Sequence, residues 1–299
     1  MSKITRRHFL QNSAVAIGTL VGAGSPFAAE KSMGRRSAAD LVTLGKSGVP
    51  LTRLGFGTGS NGGSVQRGLG QKEFTKLARH AYDSGIRYFD TADNYDEMHE
   101  MLAEALKGIA RDTYFIQTKL NFNRSKNVPE TIDRFRKELQ TDYFDSLLLH
   151  CVGTATWPTE LERSMEEFSK AKEKQIIRSH GASCHGLAPL RTMTQCPWLD
   201  IALVRVNHDG THMDGPTGQW AETGNRDEAL THIRQIHANG TGVIGMKIIG
   251  NGDFTDAARR DASIKFVMGL DCVDVVVIGF KSVTEIDEAI GRMNAHLNA

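Results

Sequence analysis

A carboxylate and a phenol stand five residues apart in Ile86-Arg87-Tyr88-Phe89-Asp90-Thr91-Ala92-Asp93-Asn94-Tyr95, where a short apolar run turns polar. Two later runs end in a similar way. Tyr114-Phe115-Ile116-Gln117-Thr118-Lys119 closes on a lysine, and Phe144-Asp145-Ser146-Leu147-Leu148-Leu149-His150 on a histidine. A phenol with a pKa of about 10 is a weak acid at neutral pH, but a cation beside it favours the phenolate and eases release of the proton. In this set Lys119 is the cation and Asp90 the counter-charge that would hold it. Tyr95 is the acid, and His150 a hydrogen-bonding group able to orient a substrate. Each also has an ordinary reading alone: an ion-pair partner, a helix cap, a packing ring, a satisfied core histidine. Together they describe a site where a proton is delivered.

Such a site needs elements that bring the four residues to one place. The steps from Asp90 to Lys119 to His150 are about 30 residues, one strand–helix–strand unit, which puts all three at the same end of neighbouring parallel strands. The rest of the chain keeps that rhythm. Leu54-Gly55-Phe56-Gly57-Thr58 reads as a first strand, followed by a Gly/Ser-rich loop to Leu69. Phe74, Leu77, Ala78, Ala81 and Tyr82 then recur at helical spacing up to a stop at Ser84-Gly85. Met101, Leu102, Ala105 and Leu106 mark a second helix. A third begins at Pro129 and carries Ile132, Phe135 and Leu139, and a fourth carries Leu161, Met165 and Phe168. Ile176 to Ser183, Ile201 to Asn207, Val243 to Ile249 and Val273 to Gly279 read as strands five to eight. Leu230, Ile233 and Ile236, then Ile264, Phe266 and Val267, then Ile286, Ala289, Ile290 and Met293 lie on the helices among and after them.

Largely apolar strands alternating with amphipathic helices predict an α/β fold with a parallel sheet under helices. Eight pairs predict closure as a (β/α)8 TIM barrel. Upstream, Leu41-Val42-Thr43-Leu44 and Val49-Pro50-Leu51 flank Gly45-Lys46-Ser47-Gly48 as a β-hairpin. The irregular stretch 208–225 reads as a substrate-side flap, with Trp157, Trp220 and Phe280 as further pocket candidates.

The ordered set Asp90, Tyr95, Lys119 and His150 resembles the catalytic tetrad of the aldo-keto reductases. Phe89-Asp90-Thr91-Ala92 followed by Tyr95 is its most specific piece, and the resemblance runs from about Leu41 to the end of the sequence. It implies a barrel whose N-terminal floor is closed by the hairpin. It also implies reduction of aldehyde or ketone carbonyls to alcohols by NAD(P)H, or the reverse, with Tyr95 as general acid. Gly57 and Thr58 join the cofactor-binding set at the end of the first strand. Gly181-Ala182-Ser183-Cys184 resembles the family's Gly-Val-Ser-Asn, so Ser183 would meet the nicotinamide carboxamide, whereas Cys184 departs from the pattern. Leu203 stands where the family often has a Gln, four residues before Asn207. Gly245-Met246-Lys247-Ile248-Ile249-Gly250-Asn251-Gly252 resembles the loop along the pyrophosphate, with Met246, Ile249 and Gly250 as contacts. Lys281 and Ser282, in Gly279-Phe280-Lys281-Ser282-Val283-Thr284, match an adenosine 2′-phosphate site. NADP(H) is therefore favoured, with NAD(H) as the alternative because Glu285, Asp287 and Ala289 fall where Arg and Asn are expected.

Two other readings compete. One is a non-catalytic cofactor-binding relative, a sensor or accessory subunit. The other is a metal-dependent barrel enzyme with His150, Cys151, Cys184 and His185 as a two-Cys two-His cluster. A Cys151–Cys184 disulfide is a further option in an oxidising compartment.

A chain of 299 residues, 40% hydrophobic and 24% charged, has an ordinary globular composition with room for one barrel and a leader. The net charge of +1 gives no electrostatic reason to expect nucleic acid or a membrane surface, and the resemblance implies a small carbonyl or alcohol substrate as the partner. Thr5-Arg6-Arg7-His8-Phe9-Leu10 matches a twin-arginine (Tat) export signal. The apolar run from Ala14 to Val21 that follows is short of the ~20 residues of a membrane span. The chain therefore divides into a signal peptide over 1–29, a linker over 30–40 and the barrel over 41–299. The expected location is periplasmic or otherwise exported through the Tat machinery, and cytoplasmic if the signal does not function.

Overall fold

The computed structural model describes residues 35–219 and 222–299. The expected signal peptide, the first residues of the linker and Trp220 lie outside the described residues. Eight strands close a barrel: β3 (Leu54–Gly57), β4 (Tyr88–Asp90), β5 (Phe115–Leu120), β6 (Phe144–Val152), β7 (Ile177–Cys184), β8 (Ile201–Arg205), β9 (Gly242–Met246) and β10 (Val275–Gly279). Each is parallel to its neighbours, and β10 pairs with β3 to complete the ring. Phe144 to His150 and Val275 to Ile278 are buried without interruption, as strands covered on both faces must be.

The helices that cover them are α1 (Gly70–Asp83), α2 (Met98–Leu106), α3 (Val128–Glu138), α4 (Glu162–Glu173), α5 (Leu187–Met193), α6 (Arg226–Ala238), α7 (Ala257–Met268) and α8 (Val283–His296). Four begin at a side-chain cap: Asn127, Asn225, Asp256 and Ser282 each accept a backbone N–H three residues on. The apolar faces read from the sequence are the buried ones, with Phe74, Leu77, Ala78 and Ala81 on α1 and Phe135 on α3 packed against the barrel wall.

The N-terminal hairpin is present as β1 (Leu41–Thr43) paired antiparallel with β2 (Pro50–Thr52). Its turn meets the start of β9: Lys46 N–H donates to Gly240 O at 2.7 Å, and Leu44 packs against Gly242. That end of the barrel is opposite the strand ends carrying Asp90, Lys119 and His150.

The structure adds a helix whose residues the sequence reading did not name and shifts several strand bounds, β10 beginning at Val275 rather than Val273 among them. Helix α5 carries Pro189 and starts after Gly186 at φ 113°, so its seven residues lack a long apolar repeat. β8 stops at Arg205 because Asn207 bends the chain, its side-chain oxygen accepting the amide N–H of Gly210 at 2.9 Å. β9 stops at Met246 because Lys247 takes φ 63°, outside strand geometry. Among the described residues no helix is long and apolar enough to cross a membrane.

Candidate active site

Asp90 ends β4, and Lys119 is the next-to-last residue of β5. The strand register sets Asp90 beside Gln117 and leaves Lys119 two residues further along the same strand. From there the Lys119 Nζ reaches back to Asp90 Oδ1 at 2.7 Å and donates to Thr91 O at 2.8 Å. Asp90 is 5% exposed and Lys119 1%. Such a pair persists only with its remaining hydrogen bonds satisfied, and the Gln117 amide supplies one, donating to Asp90 Oδ1 at 2.8 Å.

Tyr95 closes a turn over Asp93–Tyr95 just beyond β4. Its ring lies 5.2 Å from Lys119 Nζ and 5.5 Å from the His150 ring, which meets it edge-on. The hydroxyl lies over Gly59, where a Cβ would fall 2.5 Å from it, so a side chain at position 59 would displace the phenol. Arg67 steadies the turn from the opposite side, its Nη1 donating to Tyr95 O at 2.6 Å. Burial, with Asp90 adding to it, pushes the Tyr95 phenol well above its ordinary value. In the resting site burial outweighs any downward pull from Lys119, whose ammonium is paired with Asp90.

His150 sits where β6 slips against β7. Leu149 pairs with Ala182 but Val152 with Cys184, so β6 carries one extra residue. Cys151 takes φ 59° there, and its N–H donates to Ser183 Oγ at 2.9 Å. Bulges of this kind re-aim side chains at strand ends. Burial, then the Lys119 charge, holds the His150 imidazole well below its ordinary value, so it is neutral. Nearby His185 is pushed down to about 3 by burial and by Arg205 and Lys247.

These residues lie at one end of a cleft of about 750 Å³ that runs past Ser183, Leu203, Met246 and Ile249 to Lys281. Asp90, Tyr95, Lys119 and His150 line it together, and so do Gly57 and Phe280. Other expected contacts are placed differently. Thr58 is fully buried and spends its hydroxyl on Asp90 O at 3.0 Å. Gly250 lies under the Phe254 ring at φ 57° and shapes the loop. Ser282 caps α8. Lys281 lines the cleft, but its N–H donates to Glu285 Oε2 at 2.9 Å, and its Nζ is 3.8 Å from Glu285 Oε1. Trp157 is 1% exposed and does not line the cleft, and no described residue of the 208–225 stretch lines it. That stretch is tied down at Asp214, whose Oδ1 accepts Gly186 N–H at 2.7 Å.

Three residues of this region were not singled out by their chemistry in the sequence. Lys247 lines the cleft near Lys119 and is pushed down to about 8 by burial and by Arg205. Arg205 is 1% exposed and 3.8 Å from the wholly buried Asp214, which burial pushes up to about 6. The arginine inside the apolar run Leu203-Val204-Arg205-Val206 was the available signal, since a buried guanidinium requires a partner.

The two-Cys two-His cluster does not assemble. Cys151 Sγ is 3.3 Å from His185 Nε2, while the Cys184 thiol turns to Asp214. Among the described residues no three His, Cys, Asp or Glu side chains converge as a metal site, and Cys151 and Cys184 are free thiols.

A model described as the aldo/keto reductase family matches residues 53–269. The chain is 27% identical over 169 residues to the aldo-keto reductase YhdN of Bacillus subtilis, covering 51% of this chain and 49% of that protein. It is 31% identical over 152 residues to an L-galactose dehydrogenase of Arabidopsis thaliana, covering 48% and 47% respectively. The chain thus spans about half the length of the relatives it matches. Its barrel superposes on a putative aldo-keto reductase from Pseudomonas aeruginosa with a TM-score of 0.70 at 22% identity, over 89% of this chain and 100% of that one. It superposes on an aldo-keto reductase from Klebsiella pneumoniae in complex with NADPH with a TM-score of 0.63 at 17% identity, over 89% and 91%. At these identities the structural likeness concerns the fold.

Proposed function

The chain belongs to the aldo/keto reductase family, and on that premise we propose that it is an oxidoreductase reducing small aldehyde or ketone carbonyls to alcohols, or running the reverse. The observation that carries this reading is the buried Asp90–Lys119 pair beside Tyr95 and His150, in a cleft of about 750 Å³ that Ser183, Met246 and Lys281 also line. When bound, a nicotinamide cofactor supplies the hydride.

The protein's own groups handle the proton. Tyr95, held protonated by its burial, stands as the acid for the developing alkoxide. Lys119 keeps positive potential near the phenol and is fixed by Asp90, so charge building on the phenolate side is met without reorganisation. Neutral His150 is placed to hydrogen-bond the carbonyl oxygen and orient it.

The fit to a cofactor is uneven along the cleft. Ser183 lines it and can still donate its hydroxyl proton to a carboxamide after accepting from Cys151. Leu203 offers nothing polar, and the Cys184 thiol points to Asp214. This weak carboxamide site favours a second reading, a cofactor-binding relative with little turnover. Lys281 supports NADP(H) over NAD(H), with Glu285 competing for its charge. The Arg6-Arg7 leader supports export through the Tat pathway, with cofactor carried out on the folded protein.

The test is turnover of one small aldehyde at saturating NADPH by wild type and Tyr95→Phe. Loss of ~10²–10⁴ in rate is expected for a positioned general acid. Equal rates would overturn the reading, and tight NADPH binding by a wild type that turns over no carbonyl would favour the second one.

A further inference from the structure

The turn that carries Tyr95 is clipped from outside the cleft by a continuous run of polar contacts. Asp93, two residues before Tyr95, has a side chain 5% exposed, and its Oδ1 accepts from Arg134 Nη2 at 2.7 Å. The other guanidinium nitrogen, Nη1, donates to Glu138 Oε1 at 2.7 Å, one turn along α3. Glu138 Oε2 is 2.7 Å from Nδ1 of His99, in the first turn of α2. His99 Nε2 is 2.8 Å from the hydroxyl of Thr118, the residue before Lys119. His99 is 3% exposed and Thr118 fully buried. The run therefore begins two residues from the phenol and ends one residue from the ammonium. Side chains alternate along β5, so Thr118 faces α2 while Lys119 faces the cleft.

The turn needs such holding. Asp96, directly after Tyr95, takes φ 45°, a region that strains a non-glycine residue and persists only when its surroundings over-determine it. Arg67 grips the other side, with Nη1 on Tyr95 O and Nη2 3.4 Å from Asp96 Oδ2. Arg67 fixes the turn to the segment after β3. The path through Arg134 ties the turn itself, by way of α3 and α2, to the strand that holds Lys119, beside the bonds that strand makes to Thr91 just before the turn.

We propose that Arg134 is a positioning residue for Tyr95, acting through Asp93 and, by way of Glu138 and His99, holding the phenol in register with Lys119. The inference rests on the reading of Tyr95 as the acid. A displacement of about 1 Å in a reacting group can lower the rate about 10²-fold, so a clip whose links are all short has a measurable consequence although Arg134 never touches the cleft.

The experiment compares wild type, Arg134→Ala, Arg134→Lys, Tyr95→Phe and Tyr95→Phe/Arg134→Ala, with melting temperatures as the control for folding. Arg134→Ala is expected to lower kcat by about 10- to 100-fold with KM for the aldehyde and Kd for NADPH unchanged. Arg134→Lys should recover part of the loss, since it restores a cation to Asp93. In the Tyr95→Phe background the same change should alter kcat by less than about twofold, because the group it positions is gone. Separately, the ring-carbon NMR signal of labelled Tyr95 in the resting protein should move in Arg134→Ala and stay near its place in Arg134→Lys. An unchanged kcat with an unmoved signal would overturn the proposal. An equal loss in both backgrounds would do so too, assigning Arg134 a general structural role. Equal turnover by wild type and Tyr95→Phe would instead bring down the acid assignment, and the NMR signal, which needs no substrate, tells that failure from failure of the clip.

Discussion

The backbone N–H of Cys151 donates to the hydroxyl oxygen of Ser183 across 2.9 Å, joining β6 and β7 where their ladder has slipped by one residue. The contact supports a non-glycine residue at φ 59° directly after His150. Ser183 therefore acts on the site before any cofactor does, by pinning the bulge that aims the imidazole. Ser183→Ala is expected to cost about 1 kcal/mol in urea unfolding, the low end of the penalty for an unsatisfied N–H because this one is only part-buried, and to lower kcat as His150 loosens. A variant with wild-type stability and wild-type kcat would show that the bulge stands without the hydroxyl.

This contact also marks the limit of what the sequence disclosed. Asp90, Tyr95, Lys119 and His150 were legible because each ends or closely follows an apolar run, and parallel strands about one βα unit apart must bring such ends together. The hairpin and the eight strands were legible from alternation and from Gly- and Pro-marked turns. Nothing in Leu148-Leu149-His150-Cys151-Val152 shows that one residue is extra, since a bulge depends on the partner strand. The Arg205–Asp214 pair was hidden for a similar reason: burial of both partners is a property of the closed barrel. Lys281 and Ser282 were found by resemblance, yet only coordinates show Ser282 spent on a helix cap and Lys281 drawn to Glu285.

The cofactor's adenosine end offers a second test. If Lys281 meets a 2′-phosphate, Lys281→Ala should weaken NADPH more than NADH by ~1–3 kcal/mol, the size of a lost charged hydrogen bond. The effect should fall toward the low end, because Glu285 already competes for the ammonium. Fluorescence titration with both cofactors measures it. Equal losses would mean that Lys281 does not read the phosphate.

Location is tested at the leader. Replacing Arg6 and Arg7 together by Lys keeps the charge but removes the twin-arginine pattern, so the protein is expected to remain uncleaved in the cytoplasm. Cell fractionation distinguishes the outcomes, and unchanged export of the double variant would remove the Tat assignment.

The last prediction concerns acid stability. His185 titrates at about 3 in the folded protein against an ordinary 6.5, and His150 is also held well below that value. A histidine depressed on folding binds its proton more readily in the unfolded chain. Its contribution is therefore fully present above pH 6.5 and is lost as pH falls towards the folded value, with a limiting slope of about 1.4 kcal/mol per pH unit for each group. Asp214 works in the opposite sense. Raised to about 6 from 3.8, it takes up a proton more readily when folded, so it adds stability as pH falls through 6. Burial lowers His180 as well, and three histidines against one aspartate leave a net loss below pH 6.5. The window from pH 6.5 to about 5 isolates this effect, because Glu138, Asp209, Asp261 and Glu288 are all held below their ordinary values and add their own acid loss only further down. His185→Gln keeps a polar side chain beside Cys151 but cannot titrate. Urea unfolding across that window should show a shallower fall for the variant than for wild type, by about 1 kcal/mol per pH unit after allowing for partial exposure. Identical slopes would show that His185 is not kept neutral by the fold, and that the cations Arg205 and Lys247 do not press on it as their positions imply.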